Sequence, residues 1–293
     1  MLEFEISETE AGDMLRRYLQ DKVQLSLRFI KRLTRQKGYL MINGEHVTVR
    51  YIVQTGDILQ IRLPEEKRSN SVLAEKIPLH ILYEDEWLIV LQKEAGIPSI
   101  PSRNYPSGTV ANGLLAHYDA QQLPYTIHIV TRLDKDTSGL MLIAKHQLSH
   151  SLLSRMQKQN KINRHYEAIV EGVVEEEAYT INKRIRRKPS SIIEREVASD
   201  GKEAITHFRV VKRYDTYTHV AVRLETGRTH QIRVHFADYG HPLLGDNLYG
   251  NSVDQMSRQA LHCTKLQFNH PYTDEKLTFQ SNPPEQWNEF LTL

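Results

Sequence analysis

The sequence predicts an α+β protein made of two domains, on three observations. The chain has 293 residues, more than a typical single domain contains. Helical patterns and strand-like apolar runs occur without the regular alternation that a parallel α/β sheet requires. A polar stretch without periodicity, residues 64–78, separates a short N-terminal region from a longer C-terminal one. We therefore expect domains at 1–63 and 79–293, joined by a flexible linker at 64–78.

The composition is that of an ordinary soluble globular protein, because 40% of the residues are apolar and 25% are charged. The formal net charge is only +2, so a nucleic-acid partner has to be argued from local charge patterns. Cys263 is the single cysteine and excludes an intramolecular disulfide, which suits a reducing compartment. The acidic N-terminus has no long apolar run. We expect a cytoplasmic protein with no membrane partner.

Two amphipathic helices are predicted in the N-terminal region, at 11–23 and 26–38. Apolar residues recur at intervals of four in the first. Ser26 is a candidate N-cap for the second helix, and Gly38 is a candidate end for it.

The second predicted helix carries a stripe of cations on one face. Its members, at positions i, i+3, i+4 and i+7, are Arg28, Lys31, Arg32 and Arg35. Leu27, Ile30 and Leu33 are predicted to point the other way. No acidic residue interrupts the stripe, whereas a solvated helix face usually mixes charges to gain ion pairs. The pattern predicts contact with a phosphate backbone, with a plain solvated face as the alternative.

A small sheet is predicted after these helices. "LMINGEHVTV" indicates a hairpin around Asn43-Gly44, and "QTGDILQIRL" indicates another turn and strand. Two helices followed by such a sheet resemble the alpha-L RNA-binding domain of a small-subunit ribosomal protein and of many RNA-modifying enzymes. The resemblance covers about residues 12–63. It implies a small α/β domain whose basic helix and hairpin hold structured RNA.

Short strands and helices are predicted throughout the C-terminal region. "LHILYEDEWLIVLQK" is typical of two strands around an acidic turn, and residues 146–160 of a helix. "YEAIVEG", "AITHFRVVKRY" and "YTHVAVRLETG" indicate strands, the last two joined as a hairpin. A further helix is predicted to start at Thr229 and stop at Gly240. The polar stretch "TRLDKDTSG" lies between "YTIHIV" and "LMLIAK", which both read as buried strands.

Four positions in this region are candidates for chemistry. Asp134 is at the centre of the polar stretch, where a solvated turn is the ordinary interpretation. Tyr166 enters a predicted strand, where tyrosine usually packs in the core. Arg233 falls in the first turn of a predicted helix, where a cation opposes the helix dipole and therefore needs an anionic partner elsewhere. Lys93 precedes a glycine turn in "LQKEAGIPS".

Several other kinds of site are not supported. His230 and His235 are five residues apart and fall on different faces of a helix or strand, and no HExxH pattern occurs. The chain contains neither a GxGxxG fingerprint nor a Walker A loop. We therefore expect no metal and no cofactor. The basic run "KRIRRK" at 183–188 is either a phosphate contact or a solvated loop.

The motifs closely resemble those of the RluA family of pseudouridine synthases. The family pattern HRLD, any residue, an acidic residue, then TSG stands here as "TRLDKDTSG". "GRTHQIRVH" is intact, "GHPLLGDNLYG" matches its continuation, and "QKEAG" corresponds to the family's NKPAG. Thr131 replaces the usual His and Glu94 the usual Pro, which puts fine substrate positioning in doubt rather than activity. The resemblance implies a catalytic domain with a mixed or antiparallel sheet.

The resemblance also implies the reaction and the site. Uridine in RNA becomes pseudouridine by breaking the glycosidic C–N bond, turning the uracil and joining the sugar to C5. Asp134 would be the catalytic carboxylate, acting on the sugar or the base, and Tyr166 would stack on the flipped uracil. Arg233 would pair with Asp134, keeping it ionised and aimed. Three substrate-binding residues are implied as well. Ile232 would be an apolar wall, Arg132 would fill the space left by the flipped uridine, and Lys93 would contact the substrate.

The predicted partner is RNA, with large-subunit ribosomal RNA favoured over transfer RNA, and the chain is predicted to be a monomer. Two other functions were weighed. A non-catalytic RNA-binding protein would have no need of the complete set of Asp134, Tyr166 and Arg233. A nucleoside hydrolase would need a second well-placed carboxylate, and the alpha-L domain argues against it.

Overall fold

The structure is a computed structural model that describes residues 1–35, 38–69, 71–251 and 256–291. The chain divides into two compact units, Met1–Arg68 with Pro124–Thr126 and Ser69–Leu123 with Ile127–Leu293. The first division falls within the stretch that the sequence marks as a linker. Among the described residues, no helix has the length and apolar character needed to cross a bilayer.

The N-terminal unit contains a four-stranded antiparallel sheet and two short helices. They are β1 (Leu2–Glu5), α1 (Leu15–Asp21), α2 (Leu27–Leu33), β2 (Leu40–Ile42), β3 (Glu45–His46) and β4 (Ile58–Ile61), with a 3₁₀ turn at Glu8–Glu10. The strand order is β1-β4-β2-β3. Asn43 and Gly44 have φ values of 53° and 84° and join β2 to β3, so the predicted hairpin is confirmed.

The second helix is shorter than the sequence suggests, which alters the cationic stripe. Ser26 caps α2 as predicted, by accepting a hydrogen bond from the Phe29 amide at 3.2 Å. The helix ends at Leu33 and not at Gly38, so Arg35 lies beyond it. Phe29 is buried in place of Leu27, which is 47% exposed. The predicted apolar face was wrong at that position.

The stripe residues differ from one another in the structure. Arg28, Lys31 and Arg35 are exposed. Arg32 is half-buried, and its guanidinium donates to the Glu65 carbonyl at 2.7 Å. Three of the four predicted RNA contacts are therefore on the open surface of this unit.

Most strands of the described residues in the second unit form one mixed sheet. The strands are β5 (His80–Glu84), β6 (Leu88–Lys93), β7 (His128–Ile129), β8 (Ser138–Ala144), β9 (Asn163–Glu171), β10 (Ala178–Asn182), β11 (Ile185–Arg187), β12 (Arg195–Val197), β13 (Ile205–Arg213), β14 (Tyr217–Leu224), β15 (Leu261–Asn269) and β16 (Lys276–Gln280). The order is β10-β13-β14-β9-β15-β8-β6-β5, with β16 on β15 and β7 on β8. β8 and β15 are parallel, whereas β9 and β15 are antiparallel. β11 and β12 form a separate antiparallel pair.

In the part of this unit that the structure describes, four helices accompany the sheet: α3 (Val110–Ala120), α4 (Gln147–Lys158), α5 (Gln231–Asp238) and α6 (Asn288–Leu291), with a 3₁₀ turn at Glu285–Trp287. The sequence predicted α4 and α5, and both are confirmed. It missed α3, which Thr109 begins by accepting a hydrogen bond from the Asn112 amide. The α+β class and the mixed sheet agree with the prediction.

The two flanks of the polar stretch differ. β8 is buried along its whole length, as predicted. The preceding flank forms only the two-residue strand β7, and both of its residues are half-buried. The prediction of two buried strands was therefore wrong for the first. A single fully buried strand anchors the turn from its C-terminal side.

One glycine explains how this turn enters the sheet. Gly139, in β8, has a φ of 109°, and a Cβ there would lie 2.4 Å from the Cys263 carbonyl oxygen. Cys263 pairs with Gly139 on one side and with Tyr166 on the other. The three residues form one row across β8, β15 and β9. This close packing fixes the distance between the polar stretch and Tyr166.

Candidate active site

Three separate motifs meet at one cavity of about 340 Å³ in the second unit. Five of the residues predicted for the site line it: Arg132, Asp134, Tyr166, Ile232 and Arg233. They come from the turn before β8, from strand β9 and from helix α5. The volume is in the range of pockets that hold small molecules, so it suits a single nucleotide base.

The Asp134 carboxylate is held near a cation but remains open to the cavity. Its backbone carbonyl accepts a hydrogen bond from the Thr137 amide at 3.2 Å, which closes the turn. Its side chain is 25% exposed, and Oδ2 lies 3.5 Å from Arg233 Nη1. At this distance the two groups form an ion pair without a short hydrogen bond. The solvated turn that the sequence left open as the ordinary interpretation does not describe this side chain.

A second carboxylate binds Arg233 more tightly. Arg233 Nε and Nη2 donate to the two oxygens of Asp246 at 2.7 and 2.8 Å, a bidentate arrangement. Asp246 is fully buried, and its Oδ1 also accepts hydrogen bonds from the backbone amides of Leu248 and Tyr249. Burial disfavours the charge on Arg233, but the bonds to Asp246 outweigh it and raise the pKa. Arg233 is therefore a fixed cation whose Nη1 faces Asp134.

This arrangement resolves the conflict between Arg233 and the helix dipole. Arg233 lies in the first turn of α5, as predicted. The anionic partner that the dipole argument required is chiefly Asp246, with Asp134 as a more distant one. Asp246 lies within "GHPLLGDNLYG", and no role is predicted for it from the sequence.

Tyr166 lies on strand β9 and lines the cavity. It is 4% exposed, and burial raises the pKa of its hydroxyl above the usual range. Arg164, two residues earlier on the same strand, is 7% exposed and also lines the cavity. Gly227 leaves room for it, since a Cβ there would lie 3.1 Å from Arg164 Nη2. Arg164 is a site residue that the sequence analysis missed.

His230 and Tyr249 complete the cluster around Asp134. His230 Nε2 lies 4.0 Å from Asp134 Oδ2, and its Nδ1 is 2.7 Å from the Tyr249 hydroxyl. The Arg233 guanidinium packs over the Tyr249 ring at 5.1 Å. The sequence indicates His230 only as a possible metal ligand, a role that its spacing from His235 does not support. Its contact with Asp134 could not be read from the sequence because the two residues are almost a hundred positions apart.

The structure gives Lys93 a position different from the predicted one. Lys93 is 2% exposed, and burial lowers its pKa to about 7. Its ammonium donates to three backbone carbonyls, at 2.7, 2.9 and 2.8 Å, which belong to Glu94, Ile97 and Lys135. The prediction of a substrate contact is corrected on this geometry. Lys93 instead supports the turn that carries Asp134, because Lys135 is the next residue.

Arg132 and Ile232, which are predicted to bind substrate, both line the cavity. Arg132 is exposed, whereas Ile232 is 4% exposed and forms an apolar wall. Thr131, which departs from the family pattern, is buried and accepts a hydrogen bond from the Leu142 amide at 2.8 Å. Thr131 therefore anchors the turn to β8, at the position where the family pattern has His.

The basic run at 183–188 is partly strand, because it includes β11, and partly irregular. Its cations have partners within the protein. Lys183 pairs with Asp238, Arg186 with Glu196 and Asp200, and Lys188 with Glu194, while Arg184 and Arg187 donate to the carbonyls of Gly201 and Ile192. Lys183, Arg184 and Arg187 are exposed, and a phosphate would compete with these contacts, so the phosphate-binding role of this run stays a prediction.

Comparison with known proteins agrees with the geometry. Residues 87–238 match the family model described as RNA pseudouridylate synthase. The chain belongs to this family. An RNA pseudouridine synthase of Bacillus subtilis, YjbO, is 50% identical over 254 residues, covering 87% of this chain and 90% of the relative. The ribosomal large subunit pseudouridine synthase D of Pseudomonas aeruginosa is 38% identical over 271 residues, covering 87% and 84%.

Solved structures support the fold of this RNA pseudouridine synthase. Human RNA pseudouridylate synthase domain containing 4 superposes with a TM-score of 0.59 at 20% identity, covering 73% of this chain and 92% of that one. The corresponding domain containing 1 gives a TM-score of 0.57 at 24% identity, with coverage of 71% and 84%. The predicted membership of the RluA-type synthases is confirmed, and the enzyme is an isomerase that acts on RNA.

Proposed function

We propose that Asp134 is the carboxylate that carries the isomerisation, in an RNA whose target uridine enters the cavity described above. One observation carries the proposal: of the two carboxylates at Arg233, Asp134 is the one that faces the cavity. The ion pair with Arg233 Nη1 favours the ionised form that a nucleophile or base requires. Arg233 is itself held by Asp246, so the pair is aimed before substrate arrives.

The remaining residues fit the steps of the reaction. The C1′–N1 bond breaks, a C1′–C5 bond forms, the C5 proton leaves and N1 acquires a proton, so substrate and product have the same composition. Tyr166 offers its ring to the turning uracil, and Ile232 excludes water from one side. Arg132 would occupy the space that the flipped nucleotide leaves. Attack on C1′, addition to the base and elimination from the sugar all use a carboxylate at the position of Asp134.

We propose that the reaction needs no metal and no cofactor. An isomerisation without net oxidation or hydrolysis can proceed with a carboxylate and a closed pocket. Exhaustive treatment with EDTA should leave the rate of pseudouridine formation unchanged in an RNA fragment that folds without divalent ions. Loss of activity that one specific divalent ion restores would contradict the proposal.

We propose large-subunit ribosomal RNA as the substrate, bound in part by an alpha-L domain at residues 1–63. Support comes from two relatives, 38% and 40% identical, that are named ribosomal large subunit pseudouridine synthases, and from the exposed cations Arg28, Lys31 and Arg35. Transfer RNA is the alternative substrate, and the protein is proposed to act as a monomer.

The experiment is to map pseudouridines in total RNA from cells that lack the gene. Cells complemented with the parent gene should regain one or a few sites in large-subunit ribosomal RNA, and cells complemented with Asp134→Asn should not. Sites restored only in transfer RNA would contradict the substrate proposal. Restoration by Asp134→Asn would contradict the catalytic one. Free uracil released from the purified RNA would indicate hydrolysis instead.

A further inference from the structure

His230 occupies a strained backbone position at the edge of the cavity. It is the N-cap residue of α5, with φ 57° and ψ 21°, a left-handed conformation that is uncommon outside glycine, although asparagine, aspartate and histidine adopt it more often than other residues. Its side chain does not cap the helix. The imidazole instead lines the cavity, where the side chain is 13% exposed.

The contacts of the imidazole assign its tautomer. The Tyr249 hydroxyl accepts a hydrogen bond from the backbone amide of Arg195, in strand β12, at 2.8 Å. Among the described residues, the acceptor within reach of the Tyr249 proton is His230 Nδ1, at 2.7 Å. Burial raises the pKa of Tyr249 to about 12, so this proton is present at neutral pH. Nδ1 is then the acceptor and Nε2 carries the hydrogen.

That hydrogen faces Asp134. His230 Nε2 lies 4.0 Å from Asp134 Oδ2, the same oxygen that lies 3.5 Å from Arg233 Nη1. The charged groups facing His230 are Asp134, Arg233, Arg195 and Asp246, and burial is the largest influence, so its pKa is lowered. His230 is therefore neutral at pH 7. It offers a hydrogen bond without adding a second positive charge to the site.

We propose that His230 is a positioning residue that closes onto Asp134 Oδ2 as a neutral Nε2–H donor, with its tautomer fixed by Tyr249. Of the two Asp134 oxygens, Oδ2 is the one that lies near both His230 and Arg233, so the two donors hold that oxygen and leave Oδ1 for the substrate. A closure of about 1 Å brings Nε2 within hydrogen-bond distance. The inference rests on the proposed catalytic role of Asp134.

The test compares matched variants by single-turnover conversion of a target RNA fragment. His230→Gln keeps an N–H donor near the place of Nε2, and His230→Leu removes it at similar size and with the same backbone strain. We expect the rate of His230→Leu to fall roughly 10- to 100-fold. Its RNA Kd should stay within about twofold of the parent, since a positioning residue affects conversion and not binding. His230→Gln should recover most of the loss.

Tyr249→Phe provides a second variant that keeps the ring packed on Arg233. Introduced alone, Tyr249→Phe should slow conversion by several-fold, because the tautomer of His230 is no longer fixed. Introduced together with His230→Gln, it should cause no further loss. An equal loss in both backgrounds would overturn the tautomer assignment, and this cycle stands even if His230→Leu fails to fold.

Three other results would overturn the proposal: His230→Leu converting at the parent rate, His230→Gln performing no better than His230→Leu, or a loss confined to RNA affinity. Asp134→Asn is measured in parallel. Conversion by that variant would show that the proposed function has failed, whereas an inactive Asp134→Asn with a normal His230→Leu would refute only the role of His230.

Discussion

Asp134 and Asp246 approach the same guanidinium from two different segments, and their surroundings differ sharply. Asp246 is fully buried, accepts two short hydrogen bonds from Arg233 and two more from backbone amides. Asp134 is 25% exposed and has contacts of 3.5 and 4.0 Å. We therefore propose that the fully hydrogen-bonded carboxylate is a structural support and that the partly bonded one retains the freedom to react. On this proposal, the number of hydrogen bonds that each carboxylate accepts within the protein separates the two roles.

The cations show the same contrast. The run at 183–188 is the densest cluster of basic residues in the sequence, yet each of its cations has a partner in the second unit. The stripe that begins on α2 has fewer cations, but Arg28, Lys31 and Arg35 are exposed. Charge density alone favours the first cluster as the RNA contact. We propose the second, because no acidic partner is recorded for its exposed members among the described residues.

The largest expected effect on stability separates the two carboxylates. Asp246→Asn should lower the free energy of unfolding by about 3 to 5 kcal/mol, because it removes the anion from a buried, bidentate pair. Asp134→Asn should change it by less than about 1 kcal/mol, since its carboxylate is partly exposed and Arg233 keeps its main partner. Urea denaturation of both variants beside the parent measures the difference. Equal losses would show that the two carboxylates are equivalent.

Arg233→Lys should impair catalysis while preserving charge. A lysine cannot bind Asp246 through two nitrogens and also present a third to Asp134. We expect the single-turnover rate to fall on the order of 100-fold, with RNA affinity little changed. A rate within twofold of the parent would mean that charge alone matters and that the fixed geometry does not.

Removing the open cations should weaken RNA binding and its dependence on salt. The variant Arg28→Gln, Lys31→Gln, Arg35→Gln should reduce the slope of log K against log salt, since each lost phosphate contact lowers it by about 0.9 for duplex targets. Adding Arg32→Gln tests the fourth predicted contact. The control replaces Lys183, Arg186 and Lys188 by Gln and should leave the slope unchanged. A larger change in the control would reverse the assignment of the two clusters.

Tyr166→Phe should have the smallest effect. The aromatic face remains, so RNA affinity should hold and conversion should slow by less than about tenfold. Because burial raises the pKa of Tyr166, its hydroxyl stays protonated through pH 9, and its ionisation should not affect the rate between pH 7 and 9. If the rate of the parent enzyme titrates between pH 7 and 9, and this titration disappears in Tyr166→Phe, the expectation is contradicted.

The sequence predicted elements whose signals are local and missed contacts that depend on the tertiary fold. The Ser26 cap, the Asn43-Gly44 turn and helix α5 follow from spacing and turn chemistry, and all three are present. The helix dipole at Arg233 even indicated that an anion was needed. The sequence could not identify Asp246 as that anion, because the Arg233–Asp246 pair depends on how the chain turns back after α5.

Lys93 and the run at 183–188 illustrate the same physical point. The resemblance implied that Lys93 contacts the substrate, but three carbonyls from two segments surround its ammonium. The acids that pair with Lys183, Arg186 and Lys188 come from β12, the segment just before and after it, and α5. A sequence shows where charges are, and only the fold shows which of them already have partners.

The central claim is that Asp134 carries the reaction, and single-turnover conversion by Asp134→Asn tests it most directly. Asn preserves the shape of the side chain but is neither a carboxylate nucleophile nor a base. The substrate is a ribosomal RNA fragment containing a uridine mapped as a target, with enzyme in excess and RNA affinity measured on the same preparation. We expect normal binding and no pseudouridine. Conversion at the parent rate would contradict the account and leave "TRLDKDTSG" as a charged turn beside an unrelated cavity.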